Sequence, residues 1–463
     1  VKHLTPMINN AHLHNRAAFG VSVVASNLKT GKELFKNNTQ NKPLQVVVKP
    51  ELDLQDMKSL SAEDRKKIFQ KSRKQVLELN VAWLQQMTDP QVALREKMTF
   101  FWHDHFACRT QVAFLAQQLN NTIRKHALGS FKNLLMAVSK DPAMLQFLNN
   151  QQNKKDSPNE NFAREVMELF TLGRGNYTEE DIKNAARAFT GWASNPLTGE
   201  FVFRERVHDA GQKIFKGKSG NFSGEEIIDM LLDDPQTATF ITTKIWNYFV
   251  SQEVQDQEVI KSLAKDFYNS GYDIEKLMMQ IFQSEWFYEL RFVGNRIKSP
   301  VELLTGIQLH TAGRFQDELS PLFIQRTLSQ VLFYPPNVGG WPQGKEWIDS
   351  SSLTFRLSLP GILLRNESTD IQAKDDGDVN NLINQPRKST VTFSVNWSLL
   401  ANRFASGGSE ENLEAVEQFL LMRPTSKDNK TMISRFAAAG SNETEFIQRV
   451  FTAYMSLPEY QLN

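Results

Sequence analysis

Residues 89–106 read DPQVALREKMTFFWHDHF, and their spacing decides the fold class. Asp89 precedes Pro90. A side-chain oxygen at that point accepts a hydrogen bond from a free backbone N–H, and a proline in the first helical turn loses no hydrogen bond. Leu94, Met98, Phe101, Trp102 and His105 then fall on one helical face. The same grammar recurs along the chain. Asp141-Pro142, Ser157-Pro158, Asp234-Pro235, Ser299-Pro300 and Ser320-Pro321 repeat the start signal. Ser61 with Asp64, Ser157 with Glu160, Thr178 with Asp181 and Ser223 with Glu226 have capping-box spacing. Apolar stripes follow at Phe162, Val166, Leu169 and Phe170, at Ile182, Ala185, Ala186 and Phe189, and at Ile241, Ile245 and Phe249. Alternating stretches are few and short: Phe201-Val202-Phe203, and Val391 to Val395. The sequence predicts a mainly α protein, one large multi-helical domain over residues 1–463 with small β-hairpin or sheet additions. Segment 366–390, rich in Asn, Asp and Lys, reads as a polar excursion within it.

The chain has 463 residues, with 53 basic and 52 acidic side chains. That balance offers no electrostatic case for nucleic acid or an anionic membrane surface. The single cysteine, Cys108, allows no intrachain disulfide. No run of about 18 apolar residues exists, so a membrane span is not expected. The phosphate-binding Gly-x-x-x-x-Gly-Lys loop, His-Glu-x-x-His, Cys-x-x-Cys and Gly-x-Ser-x-Gly are all absent.

Four stretches carry residues with chemistry. In Trp102-His103-Asp104-His105 the two histidines point about 200° apart on a helix, which disfavours one shared ion. His105 continues the apolar face as a core histidine. His103 lies off it and is the more available ligand or acid/base. In residues 159–168 (NENFAREVME), Asn161, Glu165 and Glu168 are spaced i, i+4, i+7 beside an apolar face. Two carboxylates one turn apart can hold a divalent metal ion or be driven to different pKa values. They can equally pair with Arg164, Arg187 or helix ends. His208-Asp209 with Lys213 sits outside any helical pattern, where catalytic residues and ordinary turn residues both collect. Tyr334 to Pro342 (YPPNVGGWP) is a stiff loop whose Trp341 can wall a pocket, contact a sugar ring or lie buried.

Taken in order, His12-Leu13 through Arg16, Phe19-Gly20, the 101–106 and 159–173 stretches, Thr190-Gly191-Trp192, His208-Asp209 with Lys213, Lys298 to Glu302 and Pro335 to Pro342 resemble the bacterial family catalogued as domain of unknown function 1800. The resemblance runs from His12 to the end of the chain. It implies a bacterial protein commonly exported behind a signal peptide. It also implies a frequent gene neighbour resembling sulfatases and phosphatases, and no known reaction. Asp104 stands where that family often carries Asn. Two readings of function follow. One is an exported hydrolase, metal-dependent or not, with His103, Glu165, Glu168, His208 and Asp209 in the chemistry and Asn161, Arg164, Lys213 and Trp341 in binding. The other is a non-catalytic periplasmic or surface protein that binds a glycan or a partner protein, the same residues forming a structural network.

Overall fold

The local signals hold where a capping side chain meets a free N–H. Asp141 accepts from Ala143 N, Thr178 from Asp181 N, Asp234 from Gln236 N and Ser299 from Glu302 N, each opening a helix. Three starts differ from the sequence reading. Ser157-Pro158 forms a tight turn with Lys154, and the helix opens at Asn161, whose N–H donates to Asn159 Oδ1. Asp89 caps a turn, and the helix begins at Ala93. Near Ser320, Asp317 takes the free Leu319 and Ser320 N–H groups, so that helix starts before the proline. At Asn161 and Leu319 a nearby side chain, Asn159 or Asp317, takes the place of the residue before proline; the Ala93 start has no side-chain cap.

The computed structural model describes residues 6–25, 33–35, 40–49, 61–195, 198–367, 391–405 and 407–463. All but the first two residues of the polar excursion 366–390 lie outside them. Helices dominate, and the described sheets are three two-stranded antiparallel pairs. Trp192–Asn195 pairs with Glu200–Phe203, and Lys213–Phe215 with Lys218–Gly220, as hairpins. Phe393–Ser394 pairs instead with distant Arg314–Phe315. Among the described residues no helix is long and apolar enough to cross a membrane.

One apolar core runs from Leu13 to Tyr460. The Ala93–His105 helix lies at its centre and is buried on every side, including Glu96, Lys97 and His103. Buried charge is tolerated only when paired. Glu96 accepts from Arg124 Nε (2.7 Å) and Nη2 (2.9 Å), from Trp83 Nε1 (2.7 Å) and from Gln86. These bonds tie the Ala62–Gln86 and Ala113–His126 helices to the central one. Arg16, fully buried, donates to the Phe249 and Val250 carbonyls that end the Pro235–Phe249 helix. It also reaches the Phe292 and Asn463 carbonyls. Such carbonyls have no partner within their helix. The last residues return beside 296–298, with Lys298 N–H on Gln461 O and Asn463 N–H on Arg296 O.

Candidate functional site

The central helix delivers His103, Asp104 and His105 to three different environments. His103, 3% exposed, is boxed by Trp83, Phe333 and Trp341, with ring centroids 4.9–5.5 Å away. Its Nε2 accepts from Phe333 N–H at 3.2 Å, so the proton sits on Nδ1. Burial, with Arg124 nearby, pushes its pKa down to about 3. The expectation that His103 is the more available histidine is therefore corrected. The loop at Phe333–Trp341 closes over the face that a helical wheel leaves open.

His105 is a core histidine. Its Nε2 donates to the Phe170 carbonyl (3.2 Å), and its Nδ1 accepts from Lys244 Nζ (3.2 Å). Burial pushes the Lys244 amine down to about 8, against the pull of Asp104. Half-buried Asp104 accepts from Trp341 N–H (2.8 Å) on Oδ1 and from Gln343 Nε2 (3.0 Å) on Oδ2. Burial lifts its carboxyl to about 6. Gly340 makes the approach possible. Its φ is +89°, and a Cβ there would lie 2.3 Å from Asp104 Oδ1.

Asn161, Arg164, Glu165 and Glu168 share the polar side of a short helix, Asn161–Glu165, that runs on as a π-helix over Val166–Thr171. The wide turn shows as a Leu172 N–H bond to Met167 O (2.8 Å). Such turns are rare and frequently mark functional sites. Asn161 is exposed at the helix start. Arg164 holds Glu179 (2.9 Å) and Glu160 (3.3 Å). Glu168 is held by Tyr177 and by Arg174 (2.7 Å), which keep its carboxyl below the usual range. Half-buried Glu165 has no hydrogen-bond or ionic partner among the described residues. Burial, with Glu168 adjacent, raises its pKa.

The third group is organised by Thr190. Its carbonyl accepts from His208 Nδ1–H (2.8 Å), and its hydroxyl accepts from Asp209 N–H (2.8 Å). In the neutral ring that bond fixes the tautomer and leaves Nε2 as the lone pair that a base or metal ligand requires. Gly191 gives His208 room, since a Cβ there would meet Arg204 O at 2.8 Å. Asp209 is paired with Arg187 (2.7 Å). Lys213 is 1% exposed and donates to Asp209 O, Gly211 O and Asn221 Oδ1. Lys213, read as a binding residue, faces the interior instead, and Trp341 is buried between its loop and the body.

The Arg164 and Asp209 pairings are held apart. Arg164 pairs at Glu179 and Asp209 at Arg187, eight residues apart on one helix, a separation of about 12 Å. Among the described residues no three His, Cys, Asp or Glu side chains gather so as to hold a metal ion.

What does converge is charge around Glu302. Its carboxylate accepts from Lys97 Nζ, Arg296 Nη1 (2.8 Å) and Nη2 (3.2 Å), and Ser299 N–H (2.7 Å), all buried. Burial alone would raise its pKa, but Arg296 and Lys97 hold it far below the usual carboxylate range. Beside this cluster a cavity of about 20 Å³ lies under the Tyr334–Trp347 loop. Tyr248, Arg296, Ser299 and Gln330 line it from the body, with Trp341 and Trp347 on the loop side.

A family model described as Protein of unknown function (DUF1800) matches residues 12–462. The chain belongs to the DUF1800 family. Neither a curated protein nor a solved structure matches it. In this DUF1800 chain Glu302, the Phe170 carbonyl and the Phe333–Trp341 stretch each bond to the Ala93–His105 helix. Lys244, Lys97, Arg296 and Glu302 were not singled out from the sequence as site residues. The signal available was the pair Glu96-Lys97 inside an apolar run, which only partners can make tolerable.

Proposed function

We propose that this DUF1800 chain is a non-catalytic, exported binding protein whose polar motifs are its internal fastening, and that the protein encoded beside it is its partner. One observation supports the reading. Apart from Glu165 and the Nε2 of His208, most of the motif side chains near residues 103, 165 and 208 are bonded to the protein itself, whereas a catalytic centre leaves them aimed at a shared reacting atom. The partner and the export follow from the family resemblance. Expressed from its native gene, the protein should fractionate to the periplasm or cell surface.

The test is to assay the purified chain against chromogenic phosphate, sulfate, carboxyl-ester and glycoside substrates, with and without added divalent metal. Co-purification with the neighbouring gene product is measured alongside. The expected result is no turnover and a stable complex. Turnover that disappears in His208→Ala would establish instead the second reading, a hydrolase. Two observations favour that reading: the unbonded Nε2 of half-buried His208 and the unpartnered Glu165. Under the binding reading Glu165→Gln removes a half-buried charge that Glu168 repels and Arg164 only partly offsets. It is expected to leave the melting temperature unchanged or raise stability by about 0.5 kcal/mol. A loss above about 1 kcal/mol would show that Glu165 is a structural partner after all.

A further inference from the structure

The Tyr334–Trp347 loop carries turn bonds of its own. Gly340 N–H turns back on Asn337 O, Gly339 N–H on Asn337 Oδ1 and Glu346 N–H on Gln343 O. Its polar hold on the body beneath is narrow. Asp104 takes Trp341 N–H on one oxygen and Gln343 Nε2 on the other. Gln252 adds a 3.2 Å bond to Gln343, and an exposed ion pair joins Lys345 to Glu253. Gly340 and Gly344, at φ +89° and +58°, stand on either side of the Trp341–Gln343 attachment, and glycine changes such angles at low cost.

The hollow that the loop closes is lined like a ligand pocket, although its volume of about 20 Å³ is room for about one water. Arg296 is neutralised by Glu302, so the body side offers the Tyr248 and Ser299 hydroxyls and the Gln330 amide. The loop contributes the indoles of Trp341 and Trp347. Lifting the loop carries both indoles away and enlarges the hollow by their volume.

We infer that the Tyr334–Trp347 loop is a lid latched by Asp104, and that the hollow beneath is the closed form of a pocket for a small neutral polyhydroxylated ligand such as a sugar ring. Aromatic faces with amide and hydroxyl edges, together with the Asp104 carboxylate that unlatching would release as a further acceptor, suit that chemistry. Asp104 is a positioning residue, acting through the loop. The ligand class rests on the binding reading above; the latch does not.

Hydrogen exchange read peptide by peptide separates the two. In Asp104→Ala, amides of 337–347 should exchange at least tenfold faster than in the parent while the Ala113–His126 and Pro235–Phe249 helices keep their rates. Asp104→Asn retains the acceptor for Trp341 N–H and should restore parental rates. Gln343→Ala, which leaves the body intact, should give an intermediate rate even if Asp104→Ala does not fold. Loop rates unchanged in both Gln343→Ala and Asp104→Ala, or a rise spread over all helices, would overturn the latch. A panel of neutral pyranose oligosaccharides, added at millimolar concentration to the parent, should include at least one that slows exchange in 337–347. Protection by none would overturn the ligand class while leaving the binding reading to its own assay.

Discussion

Glu302→Ala is expected to destabilise the protein by about 3–5 kcal/mol, or to abolish soluble expression. The carboxylate is 1% exposed and is the shared acceptor for Lys97, Arg296 and the Ser299 N–H that opens the Pro300–Thr311 helix. Removing it leaves two cations in the core with no counter-charge, while Arg16, also buried, stands near enough to Arg296 to repel it. It also deletes one half of a capping box. Lys97→Met should cost less, about 1–2 kcal/mol. Burial already pushes the Lys97 amine down to about 8, so little is lost when its charge goes, and Arg296 still faces Glu302. Chemical denaturation of the two variants checks the order. A Glu302→Ala protein as stable as the parent would show that the cluster carries no structural weight.

Lowering the pH from about 7.5 to about 5 is expected to remove several kcal/mol of stability. Four buried histidines are kept neutral, mainly by burial: His12 near Arg16, His103 near Arg124, His105 near Lys244 and His310 near Lys298. Unfolded, each takes up a proton near pH 6.5. The folded state therefore binds fewer protons, and stability falls as pH drops below that value. By pH 5 each histidine costs about 2 kcal/mol, or about 8 for the four. Asp104 and Asp141 act in the opposite direction. Burial raises their carboxyls to about 6 and about 7, so the folded state binds their protons first and gains stability as pH falls through those values. By pH 5 that returns about 4 kcal/mol, leaving a net loss. Urea midpoints at the two pH values measure it. Equal midpoints would mean that these histidines are not held neutral.

The fold class was legible because capping and apolar period are local properties. Asp141, Thr178, Asp234 and Ser299 find their N–H partners within three residues, wherever the rest of the chain goes. The site was far less legible, because its partners are distant. Lys97 meets Glu302 across 205 positions, and His103 meets Phe333 across 230. A helical wheel assigns Glu96, Lys97 and His103 to the outside of the Ala93–His105 helix because nothing within one turn explains them inside. Glu168 was read correctly as bordering the core. The π-helix that re-aims it leaves no period of its own in a six-residue stretch. Lys213, placed in a polar loop, gave no sign that its amine turns inward onto three oxygens. Asp209 fits the turn-residue alternative, since it accepts from Gly211 N–H while paired to Arg187.

The account turns on whether the motif histidines fasten the fold or perform chemistry, and thermal melts of His103→Ala and His105→Ala measure that most directly. Truncating His103 empties a box of three aromatic rings and leaves Phe333 N–H without an acceptor. Truncating His105 strands the Phe170 carbonyl and the Lys244 amine. Each variant should lose about 2–4 kcal/mol. If both instead melted like the parent while a measured activity or bound metal disappeared, the histidines would be functional groups, and the reading of the motifs as internal fastening would be wrong.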